Sequence, residues 1–275
     1  MHLAEPLVSS WKARLALDFA LRDKKTVLAG RSHDGPLVVQ KPLYPEGDAV
    51  CHAIVVHPPG GIAGGDELAL SATVGDEGAA LLTTPGASKW YRSAGPLAKQ
   101  SLSFEVRGAL EWLPQETIVF DGALADLSTE IRLARQASCI AWEVLCLGRT
   151  GSGERFRNGA CRLSTEVRRD GKLLWLERGR IEGRGALLQS PAGFGGRTVL
   201  GTMLAAAPGL TTAIVNQCRG VAPGSVAITL LPGVLFARYL GDSSEEAKHC
   251  FIRIWAVLRP ALLARAAVEP RIWRT

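Results

Sequence analysis

Nine stretches of this chain, residues 11–21, 49–56, 68–74, 101–106, 127–133, 140–147, 160–167, 173–181 and 226–239, alternate apolar and polar residues or form short apolar runs closed by Gly, Pro, Asp or Asn. A period of two marks strands, whose side chains point alternately to opposite faces, so the chain is expected to be mainly β. Asp170-Gly171, between two such runs, tolerates the positive φ that a type I′ hairpin turn requires at both central positions. One segment breaks the rule. Ser243 and Glu246 have capping-box spacing, after which Ala247, Cys250, Phe251, Ile254, Trp255, Leu258 and Leu262 recur every three or four residues. This predicts an amphipathic C-terminal helix of about four to five turns, perturbed at Pro260, with its Phe and Trp stripe in the core.

At 275 residues and 47% hydrophobic content the chain can bury one large core, and no linker, low-complexity tract or fixed-period repeat divides it, so one domain over 1–275 is expected. Residues 1–6 lack a basic start followed by an apolar run, which leaves the cytoplasm as the expected location. Residues 198–218 carry no charge, yet Gly201, Pro208, Gly209 and several threonines interrupt them. Two buried strands and a turn are expected there, not a membrane span. Cys51, Cys139, Cys146, Cys161, Cys218 and Cys250 are dispersed and form no C-x-x-C pair, a pattern of reduced, buried thiols. His52 and His57 are five apart on a strand-like run and point to opposite faces, which disfavours a structural zinc site.

Charge is uneven along the chain. Residues 1–148 hold 13 Lys and Arg against 17 Asp and Glu, a net −4, whereas residues 149–275 hold 19 against 9, a net +10 that is nearly all arginine. Arginine favours bidentate contact with carboxylates, so an acidic protein partner is expected. Arg178, Arg180 and Arg184 alternate along a strand without the interleaved aromatics of a nucleic-acid surface.

The sharpest local feature is His57-Pro58-Pro59-Gly60-Gly61-Ile62-Ala63-Gly64-Gly65-Asp66. Its prolines and glycines specify a rigid, tightly bent connection ending at a carboxylate, and neither a phosphate loop nor a dinucleotide fingerprint. A second unusual turn, Leu82-Thr83-Thr84-Pro85-Gly86-Ala87-Ser88-Lys89-Trp90-Tyr91-Arg92-Ser93, precedes Leu113-Pro114-Gln115-Glu116-Thr117-Ile118-Val119-Phe120. With residues 143–149, Gly153-Glu154-Arg155-Phe156, Glu177-Arg178-Gly179-Arg180-Ile181, Ser190-Pro191-Ala192-Gly193-Phe194-Gly195-Gly196, Arg238-Tyr239-Leu240-Gly241 and Pro270-Arg271-Ile272-Trp273-Arg274-Thr275, these segments span nearly the whole chain in order. Their series resembles the UreD (UreH) family of urease accessory proteins. The resemblance implies two mixed β-sheets in a β-helix-like arrangement with a few α-helices, a topology that periodicity does not supply.

It also implies a non-enzymatic metallochaperone scaffold that binds UreF, UreG through UreF, and apo-urease, and that assists nickel insertion by an internal water-filled route. Ni2+ is then cargo in transit, with no tightly held cofactor. Asp66, Glu116, Glu143 and Glu177 sit among apolar or strained neighbours, where a carboxylate is costly unless paired, hydrated or bound to a cation. Ion pairs with Arg149, Arg178 or Arg180 would satisfy them. The alternative is a carboxylate-lined interior, in which Asp66, Glu143 and Glu177 are the expected positions of nickel passage. No hydrolase or metalloprotease signature is present, although a β-rich hydrolase using a pair such as Asp66 and Glu177 as acid and base or nucleophile is a competing expectation. Arg253 and Arg265, off the apolar stripe of the C-terminal segment, are the expected partner contacts.

Overall fold

The computed structural model describes residues 10–274. Residues 1–6, read above as lacking a secretory leader, lie outside them. β1 (Lys12–Arg22) turns through Asp23 and Lys24, both at positive φ, into β2 (Lys25–Asp34), and β3 (Val38–Val39) leads to β4 (Cys51–Val56). From there the chain coils between two sheets. β4 is followed across the gap by β5 (Glu67–Val74), then β6 (Ala79–Thr83) returns, and after the short β7 (Ser88–Trp90) the chain crosses again in β8 (Ala98–Val106). The pattern repeats through β9 (Ala109–Trp112), β10 (Thr117–Val119), β11 (Leu124–Leu133), β12 (Ser138–Leu147) and β13 (Ala160–Arg169).

Successive turns of this coil stack in parallel: β1, β5, β8, β11 and β13 on one side, and β4, β6, β9 and β12 on the other. Antiparallel additions make both sheets mixed. β14 (Lys172–Glu182) joins β13 through the expected hairpin, where Asp170 and Gly171 lie at φ 47° and 75°. β15 (Val199–Ala206), β16 (Val226–Leu231) and β17 (Val234–Gly241) extend the other sheet beyond β12. The sheets therefore hold seven and ten strands, and the mainly β, β-helix-like expectation stands.

Two expectations fail locally. Residues 226–239, read as one strand, form the β16–β17 hairpin, because Pro232 and Gly233 (φ +80°) turn the chain between them. Residues 198–218 give one strand, β15, and then a helix, α1 (Thr212–Val221), in place of a second strand. Thr211 caps α1 by accepting from the Ile214 amide, and Val215 and Cys218, three apart, supply its buried face. The C-terminal helix α2 (Ser244–Leu263) forms as expected, with the Ser243 hydroxyl accepting from the Glu246 amide at 3.1 Å. Only half the capping box closes, since the Glu246 carboxylate accepts from Tyr239 and Ser225 instead. Pro260 is accommodated within α2.

The ten-stranded sheet separates two cores. Along β12, Cys139, Ala141, Leu145 and Leu147 face the other sheet, while Ile140, Trp142, Val144 and Cys146 face the helices. Glu143 shares parity with the first set, so the pleat delivers its carboxylate between the sheets. All six cysteines are buried and unpaired. Among the described residues no helix is long and apolar enough to cross a membrane.

Candidate functional site

Between the sheets lies a cavity of about 750 Å³. Its walls come from β4, β5, β8, β11, β13 and β14 as well as from β12, β15 and β17, so it crosses the strands instead of following them. Strand register places the polar groups. Glu143 on β12 pairs with Thr202 on β15, which pairs with Arg238 on β17, making one polar rung across the ten-stranded sheet. In the facing sheet Glu177 on β14 pairs with Thr165 on β13, which pairs with Thr129 on β11; this rung then continues into Leu102 and Leu70. Every one of these residues lines the cavity.

One ion pair joins the two rungs: Arg238 Nη2 donates to Glu177 Oε2 at 2.6 Å, while its Nη1 donates to the Thr202 hydroxyl at 3.0 Å. The Arg238 and Glu177 side chains are 31% and 36% exposed, so water reaches the pair and screens it. Glu143 has no hydrogen-bond or ion-pair partner among the described residues. Burial first, and then the nearby Glu177 carboxylate, push it from an ordinary 4.5 up to about 7. The rungs thus hold two carboxylates and one guanidinium, and one of the carboxylates exchanges its proton near neutrality.

The two unusual turns form another part of the cavity wall through His57, Gly60, Gly61 and residues 84–89. His57 Nε2 is buried without a partner, and burial lowers the imidazole pKa against the opposing pull of Asp66. Asp66 itself does not line the cavity. Its Oδ1 accepts from the Trp11 amide at 2.7 Å and its Oδ2 from the Ala63 amide at 2.8 Å, stapling the turn to the start of β1. The glycines keep the bend tight: a Cβ on Gly64 would lie 2.3 Å from the Ser93 hydroxyl, and Gly65 sits at φ +94°. Of the three carboxylates expected on a route, the fold therefore brings Glu143 and Glu177 together and ties Asp66 to backbone.

A second buried charge cluster occupies the helix side of the ten-stranded sheet. Arg259 of α2, wholly buried, donates from Nε to both Glu111 oxygens at 3.0 and 3.1 Å, from Nη1 and Nη2 to Glu46 at 2.5 and 2.7 Å, and to the Ala266 carbonyl. Trp255 Nε1 donates to Glu111 at 2.6 Å, and His52 Nε2 lies 2.6 Å from Glu46. Burial pushes Glu46 up, but hydrogen bonds from His52 and Arg259 outweigh it and hold the carboxyl at about 2. For Glu111 burial prevails over Arg259 and raises it.

The anticipated arginine partners are not the ones used. Glu177 pairs with Arg238, Glu116 with Lys248 at 2.8 Å, and Arg149 with Glu154. Arg253 is exposed on α2, whereas Arg265 lies half-buried just past the helix, beyond Ala264 at φ 53°. The residues missed by sequence reasoning, Arg238, Thr202, Arg259, Glu111 and Glu46, left a partial signal. Arg238 breaks the inward parity of Phe236 and Leu240, and Arg259 falls one turn after Trp255 on the apolar stripe.

The family model described as UreD urease accessory protein matches residues 12–274. A urease accessory protein UreD from Azoarcus sp. (strain BH72) is 52% identical over 279 aligned positions, covering 100% of this chain and 97% of that protein. Another, from Dechloromonas aromatica (strain RCB), is 53% identical over 274 positions, covering 97% and 95%. A urease accessory protein UreD 2 from Pseudomonas syringae pv. syringae (strain B728a) is 50% identical over 270 positions, covering 97% and 96%.

Proposed function

The chain belongs to the UreD family of urease accessory proteins, and from that premise we propose that it serves urease maturation as a non-catalytic scaffold that passes Ni2+ along its inter-sheet cavity toward the active site of apo-urease. It binds UreF and, through UreF, UreG. GTP hydrolysis belongs to UreG, as this chain carries no phosphate-loop motif. It works in the cytoplasm as a single domain over 1–275.

The observation that carries this reading is the pair of facing rungs, with Glu143 and Glu177 turned into one large cavity and the Arg238 guanidinium paired with Glu177. Oxygen donors hold Ni2+ less tightly than imidazole or thiolate. Among the described residues no group of three or more His, Cys, Asp or Glu is placed to hold a metal ion, and a lining of this kind suits transit over storage. Among the described residues His57, with its unpartnered nitrogen, is the one imidazole in the wall. Arg253 and Arg265, in the arginine-rich half, are the proposed contacts to an acidic partner surface. The hydrolase alternative loses its pair, since Asp66 is occupied by two backbone amides away from Glu177.

The test co-expresses Glu143→Gln and Glu177→Gln variants with the other accessory proteins and apo-urease, and measures nickel per urease active site beside recovery of the complex. Normal assembly with reduced nickel supports the route. Full nickel loading in both variants refutes it.

A further inference from the structure

Among the described residues, Arg238–Glu177 is the one ion pair in the cavity lining that joins the two sheets. Its donor has a second anchor on its own sheet, the Thr202 hydroxyl at 3.0 Å, and its guanidinium carbon lies 5.8 Å from the centre of the Phe236 ring two residues away. Release of Glu177 therefore leaves Arg238 with a hydrogen-bond acceptor and an aromatic face, not stranded in an apolar wall. Glu177 has no comparable alternative: among the described residues Arg238 is its only ion-pair partner, and the residue beside it in the neighbouring strand is Thr165. Glu143, from the same rung as Arg238, faces the same space without a hydrogen-bond or ion-pair partner among the described residues.

We propose that Arg238 is a displaceable counter-charge, which holds Glu177 while no metal is present and retreats to Thr202 and Phe236 when a divalent cation arrives, so that the cavity admits doubly charged ions without keeping them. This rests on the nickel-route reading above. Coulombic attraction scales with the product of charges, so a monovalent ion that displaces Arg238 merely exchanges one unit charge for another, whereas a divalent ion gains an additional unit against the two carboxylates. The displaced guanidinium stays within the same rung and repels the bound ion, which shortens its stay. Without Arg238, Glu177 would face the cavity without its counter-charge, since of the other lining cations, Lys89 and Arg180, neither pairs with it and Arg180 is held by Glu182, and passage would become storage.

The experiment uses the assembled accessory complex with Ni2+ as the only probe. Complexes carrying wild-type chain, Arg238→Gln, Arg238→Lys or Thr202→Val are exposed to Ni2+ and passed through gel filtration, and both retained metal and nickel per urease active site are measured. Arg238→Gln is expected to retain stoichiometric Ni2+ and to load urease severalfold less, while Arg238→Lys, which keeps the charge, behaves as wild type. Thr202→Val removes the retreat anchor, so it should load urease less without retaining metal. Arg238→Gln that neither retains nickel nor lowers loading overturns the proposal, as does Arg238→Lys that traps metal like the glutamine variant. Should Arg238→Gln fail to assemble, normal loading by Thr202→Val overturns it instead. A Glu143→Gln, Glu177→Gln double variant run alongside separates the two ideas: if it loads urease fully, the route itself is refuted, and if it loads poorly while the Arg238 and Thr202 variants load normally, only the counter-charge role falls.

Discussion

Among the described residues the ten-stranded sheet carries a charge cluster on each face, one buried and one open to water, and the two use their charges in opposite ways. On the helix face, Arg259 spends its donors on Glu111, Glu46 and a backbone carbonyl, with Trp255 and His52 completing the set. On the inter-sheet face, among the described residues, Glu143 has no hydrogen-bond or ion-pair partner and Glu177 has one partly exposed guanidinium. The residue types are the same. What differs is saturation, because charges whose every partner is supplied by the fold act as a fastening, while charges left short of partners beside a water-accessible cavity remain available to a ligand.

The strongest test breaks the fastening. Arg259→Met should strand two buried carboxylates and cost about 3–5 kcal/mol, seen as a large drop in thermal midpoint or in recovered folded chain. A variant that melts with wild type would show that the helix-face cluster contributes nothing the other lacks. Next in size is the converse: Glu177→Gln should leave the fold within about 1 kcal/mol of wild type, as expected for a screened pair, while nickel loading of urease falls. A stability loss matching that of Arg259→Met would erase the distinction.

Acid titration should separate the clusters by sign. Glu46, held at about 2 against an ordinary 4.5, contributes stability that is present above pH 4.5 and lost as pH falls toward 2. Glu143, raised to about 7, does the reverse: its ionised form opposes folding, a cost absent below pH 4.5 and complete above about 7. Glu143→Gln should therefore melt higher than wild type at pH 8 and with it at pH 4, by calorimetry at both values. An equal difference at the two pH values would remove the titration argument. The smallest effect on the fold is expected on the outer surface of α2, where Arg253→Glu should change stability by less than about 0.5 kcal/mol. If that face docks UreF, the same change weakens the complex at low salt; a complex indifferent to it at every salt concentration confines α2 to packing.

Much of this contrast was legible in the sequence at the level of strands, and little of it at the level of partners. Period-two runs found most of the long strands but missed β2, whose mostly exposed residues show no alternation, and the Ser243 cap with its apolar stripe found α2. β6 and β9 escaped because they are short and mostly buried, leaving no alternation to read. α1 escaped because β-branched Thr212, Ile214 and Val215 favour strands locally, and packing on α2 and β16 overrides them. Glu143 and Glu177 stood out as carboxylates among apolar neighbours, but so did Asp66, and only backbone coordinates reveal that two amides already hold it. The Glu177–Arg238 pair spans 61 residues of sequence and opposite sheets, a register that no local pattern encodes.

The fastening around Arg259 also sets an order of events during synthesis. Arg259 lies 213 residues after Glu46 and 148 after Glu111, so during synthesis Glu46 must wait with His52 as its sole partner among the described residues, and Glu111 with none, until α2 has left the ribosome. Parallel stacking already makes such a coil slow to close, since each pairing joins distant segments. The last helix then acts as a completion signal: nascent chains stopped before Arg259 should remain open to protease, and those extended past Ala266 should become resistant. Equal resistance of the two lengths would mean that the coil closes without its final fastening.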